Sequence, residues 1–300
     1  MTTVILLDGG MGQELIKRAK APITPLWSAQ VMQDHPDLVE DIHLEFIEAG
    51  AKVITLNTYT ATPGRLTRDA DIAFLNPIHE SAIKAAHNAV RKSGKQDIRV
   101  AGCLPPLMAS YLSAEAPDYL TSLDHYQSLV DLQQHDVDLF ICETMSNIAE
   151  TKAAATAAKS TAKETWVSFV LNERTKKLPS GEQIERAVFE LEALDVDAIL
   201  INCCSPETIN QALPTLTKLH DNIGAYANAF ENTDALTAGG TVECLNERQD
   251  ILPKSYAEQS LQWINQGAKI IGGCCAIGPE HIKTLHDRLI AEGIEIKSTI

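Results

Sequence analysis

The chain is short of positive charge. Its 25 lysines and arginines face 40 aspartates and glutamates, for a formal net charge of -15, and no Lys/Arg-rich run interrupts that balance. Phosphate backbones are held by clustered basic side chains, so nucleic acid is excluded as the expected partner. Long apolar runs are missing as well. The opening MTTVILLDGGMGQEL has only a few apolar residues, no basic residue before them and an aspartate directly after. That fits neither a signal peptide nor a membrane span, and a cytoplasmic protein with no membrane partner is expected. The chain has no GxSxG, phosphate-loop or CxxC motif, and its nine histidines form no HxxxH or HExxH pair. Serine hydrolase, phosphate-loop, thioredoxin-like and helix-borne metal readings are therefore set aside. Gly9, Gly10 and Gly12 do not have the GxGxxG spacing of a dinucleotide site. No linker rich in proline, glycine or serine divides the 300 residues, and 1–300 is read as one domain.

What is present is a repeat of short β-branched runs, each followed by a longer segment of helical period. Eight runs stand out: 4–8, 52–57, 98–103, 137–142, 165–171, 197–202, 222–228 and 268–273. Between them, PDLVEDIHLEFIEAG sets Leu38, Val39, Ile42, Phe46 and Ile47 on one helix face before a stop at Gly50. NIAETKAAATAAKSTAK and SYAEQSLQWINQG read as helices in the same way. Eight strand-helix units predict an α/β fold, a single (β/α)8 TIM-type barrel.

Such a barrel builds its active site at the C-terminal ends of the strands. The residues there are Asp8, Asn57 with Thr58, Cys103, Glu143, Asn172, Cys203, Asn228 and Cys274, a polar ring that a purely structural barrel does not need. Seven cysteines in a reducing compartment are free thiols, metal ligands or catalytic groups sooner than a disulfide framework. Cys103 and Cys142 read as small buried apolar residues. The pair Cys274 and Cys275 follows Gly272 and Gly273 in a strand-end turn, and either Cys203 or Cys204 faces it from the sixth strand. Three thiolates with one open corner suit a catalytic zinc ion. Asp8 beside Gly9 and Gly10 offers a carboxylate and exposed amides to a charged small molecule, and Glu143 offers a second carboxylate to an ammonium group or a helix dipole.

LLDGGMGQEL, ITLNTYTATPGRL, ICETMSNIAETKAA, LINCCSP and GAKIIGGCCAIGPEHI occur in this order, spread over nearly the whole chain. In these motifs the sequence resembles the zinc-dependent homocysteine S-methyltransferases, which include betaine-homocysteine methyltransferase. The resemblance implies Zn2+ held by Cys203, Cys274 and Cys275, with Asp8, Gly9 and Thr58 near the homocysteine carboxylate and backbone and Glu143 against its ammonium group. Homocysteine and a methyl donor are the implied partners. The segment PLWSAQVMQDHPDLV is closest to the branch using S-methylmethionine or S-adenosylmethionine. The chain departs from the family pattern at Ala276 and Ile277, where Gly-Thr-Thr normally follows the cysteine pair, and at Ala227, where proline often precedes Asn228. Competing expectations are a betaine or other donor, a non-catalytic zinc-binding protein, and a redox protein pairing Cys203 reversibly with Cys274 or Cys275.

Overall fold

The computed structural model describes residues 2–19, 31–32, 34–233 and 245–299. Residues 25–30 and 33 of the segment read for its methyl donor, and Cys244, lie outside the described residues. The strands are β1 (Thr3–Leu6), β2 (Val53–Thr55), β3 (Arg99–Leu104), β4 (Leu139–Met145), β5 (Glu164–Phe169), β6 (Ala198–Asn202), β7 (Ile223–Tyr226), β8 (Ile270–Ile271) and β9 (Glu295–Lys297). The first eight overlap the eight runs expected from the sequence, with β4 running three residues past its run. β9 was not expected: its Glu295, Ile296 and Lys297 pair in parallel with Thr3, Val4 and Ile5.

Among the described residues, these strands all pair in parallel, in the order β2-β3-β4-β5-β6-β7-β8-β1-β9. The sheet is curled into a TIM-like barrel, and β1 shows how its two ends meet. The start of β1 takes β9 as neighbour, whereas just beyond its end Leu7 bridges to Val53. There the Lys52 amide donates to the Leu6 carbonyl at 2.7 Å and the Asp8 amide to the Val53 carbonyl at 3.0 Å.

Side chains alternate across each strand, which creates two cores. Ile5, Leu7, Val53, Ala101, Leu139, Ile141, Trp166, Ala198, Leu200, Tyr226 and Ile270 cluster inside the curl. Their neighbours Phe140, Val167, Phe169, Ile199 and Ile201 point outward under the helices. Burial on both faces explains why the strands read as unbroken apolar runs.

The helices cover the outer core. Helix α1 (Met11–Ala19) follows β1, and α2 (Pro36–Glu48) buries Val39, Ile42, Phe46 and Ile47 completely while Leu38 stays half-buried. Gly50 closes α2 at φ +113°, a conformation that a Cβ would strain. Helices α3 (Pro63–Asp69) and α4 (Leu75–Ser93) lead to β3, and α5 (Tyr119–Gln133) follows it. In α6 (Ile148–Lys159) the Asn147 side chain accepts from the Glu150 amide at 2.8 Å, capping the first turn. Ala153, Ala154, Ala155, Ala157 and Ala158 are buried along α6, so small side chains let it sit close to its neighbours. Helices α7 (Ile184–Phe189), α8 (Pro206–Leu216), α9 (Pro253–Asn265) and α10 (Pro279–Ala291) complete the layer. Among the described residues, no helix is long and apolar enough to cross a membrane.

Candidate active site

β6 stops at Asn202, and the next residue, Cys203, adopts φ +54°. This left-handed residue decides which thiol faces the site. Ala198 and Leu200 point into the curl, and unbroken alternation would send Asn202 and then Cys204 the same way. The turn at Cys203 breaks the alternation. Cys203 swings toward the cavity at the strand ends, while Cys204 packs into the outer core, where burial pushes its thiol pKa up. The Cys203 sulfur lies 3.8 Å from that of Cys275, Cys275 lies 4.0 Å from Cys274, and all three sulfurs lie within 4.8 Å of one another. Hydrogen bonds from Cys274 and then Cys275 hold the Cys203 thiol well below the ordinary range, and the same contacts with Cys203 push its two partners well above it. The three thiols therefore titrate as one set, in which a charge on one sulfur is held by hydrogen bonds from the other two.

Backbone fit fixes the other side. A Cβ on Gly10 would stand 2.5 Å from the Cys274 carbonyl, so the glycine lets the β1 loop lie directly on the cysteine pair. The Gly10 amide donates to the Ile277 carbonyl at 2.8 Å, and Ala276 turns at φ +63°. The residues Ala276 and Ile277, which replace Gly-Thr-Thr, thus form this turn. At the other departure, the Ala227 amide donates to the Tyr256 hydroxyl at 3.2 Å, a bond that proline cannot make. The Tyr256 hydroxyl in turn donates to the Gly272 carbonyl at 2.6 Å, tying the ends of β7 and β8 together behind the thiols.

The cysteines open into a cavity of about 140 Å³ that Asp8, Gly9, Asn57 and Glu143 also line. Among its described lining residues there is no lysine, arginine or histidine. Burial pushes the Asp8 carboxyl up to about 8, against a 2.8 Å hydrogen bond from the Thr55 amide to Oδ2 and helped by the nearby Glu143. Burial likewise pushes Glu143 up to about 7, although the Cys103 thiol donates to its Oε1 at 3.0 Å. Among the described residues, neither carboxyl has a cation among the main causes of its shift, so burial dominates both.

The structure corrects the surroundings of Glu143 and Cys103 and places the other strand-end residues. Glu143 does not precede a helix start; it lies within β4, which runs on to Met145, and Asn147 caps α6 instead. Cys103 is buried, but it is more than an apolar filler because it contacts Glu143. Thr58 is buried and is not among the residues lining the cavity, where its neighbour Asn57 stands. Asn172 is exposed beyond β5 and caps its own loop by accepting from the Arg174 and Thr175 amides, both at 3.0 Å. Asn228 keeps its expected place at the rim: it is buried, its Oδ1 accepts from the Phe230 amide at 3.2 Å, and its side chain also helps to hold the Cys203 thiol low.

Sequence reading also missed residues that the fold brings in. Asn202 accepts from Ser168 at 2.7 Å and from the Thr144 amide at 3.0 Å, donates to the Thr144 hydroxyl at 2.8 Å, and reaches Cys274 at 3.9 Å. Tyr111, from the loop after β3, donates to the Cys203 sulfur at 3.2 Å. Gln13 and Tyr59 line the cavity. Gln13 lay inside the LLDGGMGQEL motif and Tyr59 inside ITLNTYTATPGRL, and both were legible there; Tyr111 carried no local signal.

A parallel barrel with three thiols, placed as a metal ion could be held, and two carboxyls around one strand-end cavity fits the class of barrel enzymes that act on a small molecule. The homocysteine S-methyltransferase family model matches residues 5–289. A homocysteine S-methyltransferase of Escherichia coli strain K12 is 31% identical over 304 residues, covering 95% of each chain. Homocysteine S-methyltransferase 1 of Arabidopsis thaliana is 27% identical, covering 93% of this chain and 91% of the relative. The crystal structure of the homocysteine methyltransferase MmuM from Escherichia coli in its metallated form superposes with a TM-score of 0.77 at 26% identity, covering 96% of both chains. The chain belongs to the homocysteine S-methyltransferase family.

Proposed function

We propose that this chain is a single-domain, closed (β/α)8 enzyme that transfers a methyl group from a sulfonium donor, S-methylmethionine or S-adenosylmethionine, to homocysteine held at a Cys203–Cys274–Cys275 zinc site, forming methionine. One observation carries the reading: the spacing of the three thiols. Four ligands at about 2.3 Å in a tetrahedron lie about 3.8 Å apart, and the cysteine sulfurs already stand at 3.8 and 4.0 Å. Soft thiolates select zinc over magnesium or calcium, and a three-sulfur set leaves one corner for a substrate sulfur. Zinc, when bound, supplies the charge that keeps a substrate thiol ionised near neutral pH.

The chain's own residues then bind and align. Glu143 takes the homocysteine ammonium, and Asp8, the Gly9 amide and Thr58 face its carboxylate and backbone, Thr58 from outside the cavity lining. The substrate sulfur forms a bond to the donor's methyl carbon as the donor's carbon-sulfur bond breaks. The bonding pair leaves with the donor sulfur, which becomes a neutral thioether, and the thiol proton goes to solvent. A cationic donor suits the two carboxyls and three thiols, with no basic side chain among the described lining residues to repel it. Free thiols at all six described cysteines suit a reducing, cytoplasmic setting.

The test measures zinc per chain and methionine formed from homocysteine with S-methylmethionine, S-adenosylmethionine or betaine, for wild type and Cys203→Ser. We expect one zinc per chain and turnover with a sulfonium donor, both lost in the variant. Turnover with betaine alone would move the donor assignment. A wild type that refuses zinc would remove the mechanism and reopen the redox reading.

A further inference from the structure

The loop between β3 and α5 places a buried phenol against the thiol cluster. The Tyr111 hydroxyl donates to two atoms of one residue, the Cys203 carbonyl oxygen at 2.9 Å and the Cys203 sulfur at 3.2 Å. A hydroxyl has a single proton, so the two acceptors share it. With a neutral thiol the carbonyl is the stronger acceptor; with a thiolate the charge-assisted bond to sulfur is stronger. The carbonyl contact also braces Cys203 in its left-handed conformation, which a residue with a Cβ otherwise adopts at a cost.

Tyr111 does not stand alone. The hydroxyl of its neighbour Ser110 meets the Tyr59 hydroxyl at 2.7 Å and receives a bond from Arg65 at 3.4 Å. Arg65 lies 5.4 Å over the Tyr59 ring and donates to the Pro106 carbonyl at 3.1 Å. The loop is thus pinned to α3 on one side and presents its phenol to Cys203 on the other.

We propose that Tyr111 is a positioning residue of the thiolate site, holding the Cys203 sulfur in place and drawing charge from it when that sulfur binds a metal. The buried center has no basic side chain among its described lining residues, so neutral donors must offset the charge of several thiolates. Tyr111 reaches Cys203 at a normal hydrogen-bonding distance, whereas Asn202 reaches Cys274 only at 3.9 Å. Partners of this kind typically alter metal affinity 10- to 100-fold, which is about the effect expected here.

The inference rests on reading the three thiols as a metal site, and the test separates the two. Protein loaded with cobalt(II) in place of zinc shows sulfur-to-cobalt charge-transfer absorption; a wild type without it would sink the metal reading itself. In Tyr111→Phe that band is expected to move to longer wavelength, because a sulfur without its hydrogen bond gives up charge more readily. The zinc Kd, measured against a competing chelator, should rise about tenfold. Tyr119→Phe, which loses a phenol hydroxyl at the start of α5 and outside the cavity lining, should leave the band in place. An unchanged band and Kd in Tyr111→Phe, or the same change in both variants, would overturn the proposal. If Tyr111→Phe does not fold, the cobalt–sulfur stretching frequency of wild type is compared in H2O and D2O, and the absence of any isotope shift overturns it.

Discussion

Glu143 reaches the cavity as a carboxyl whose burial favours the neutral form, with its pKa up at about 7. A substrate ammonium needs the ionised form, so free enzyme binds homocysteine better above that value and worse below it. The profile of kcat/KM for homocysteine should therefore fall on its acid side by about tenfold per pH unit, beginning between 7 and 8 because Asp8, near 8, titrates with Glu143 as a pair. Glu143→Gln cannot ionise. It should lower kcat/KM by about 100-fold, equivalent to about 3 kcal/mol for an unpaired buried charge, and shift this limb; an unaltered profile would show that Glu143 does not meet the ammonium. The two adjacent cysteines make a second contrast at this scale. Cys204→Ser should keep full zinc content but lose about 1–3 kcal/mol of stability in urea unfolding, since it buries a hydroxyl in an apolar core. Cys203→Ser should keep most of its stability and lose zinc affinity by more than about 100-fold, beyond what a neighbouring hydrogen-bond partner costs.

At the scale of elements, α2 and α4 each bury a histidine: His43 and His79 are almost fully enclosed. Burial lowers both to about 4, and the hydrogen bond that the His79 Nε2 donates to the Ala61 carbonyl offsets this only in part. Their folded pKa values lie below the unfolded value near 6.5, so between about 6.5 and 4 the unfolded chain binds more protons. Stability is fully present above 6.5 and is lost as pH falls toward 4. Unfolding free energy at pH 5 should be lower than at pH 7 by about 2 kcal/mol for each histidine, and His43→Leu should remove its share of that slope. Equal urea midpoints for wild type at the two pH values would contradict the burial of these rings. The effect belongs to the helical layer and leaves the strand-end site aside.

For the whole molecule, the formal charge of -15 and the acidic cavity act in the same direction on a cationic donor. Lowering salt lengthens the Debye length from about 8 Å at physiological ionic strength to about 30 Å at 0.01 M, so the protein's field reaches farther. S-methylmethionine carries a net positive charge, and its KM should rise several-fold when salt is restored, whereas a net-neutral donor such as betaine should show no such change. Steady-state assays at two ionic strengths check this, and a salt-independent KM for S-methylmethionine would remove long-range attraction from the account.

The sequence by itself determined the parallel α/β architecture, because β-branched runs buried on both faces and alternating with amphipathic segments have few other packed solutions. It also showed that strand-end thiols and carboxyls gather on one rim, since parallel strands carry their C-terminal ends to the same face. Tertiary structure decided the rest. Alternation pointed to Cys204 as readily as to Cys203, and a single left-handed residue reversed it. Asn57 stands at the cavity wall and Thr58, one position on, lies outside the lining, because strand-end loops do not keep the strand's alternation. β9 closes on β1 through pairing that no local pattern announces. Cys103 meets Glu143 across 40 residues, and Tyr111 meets Cys203 across 92. Such contacts depend on where the folded barrel brings its loops, and the spacing of residues along the chain does not encode that.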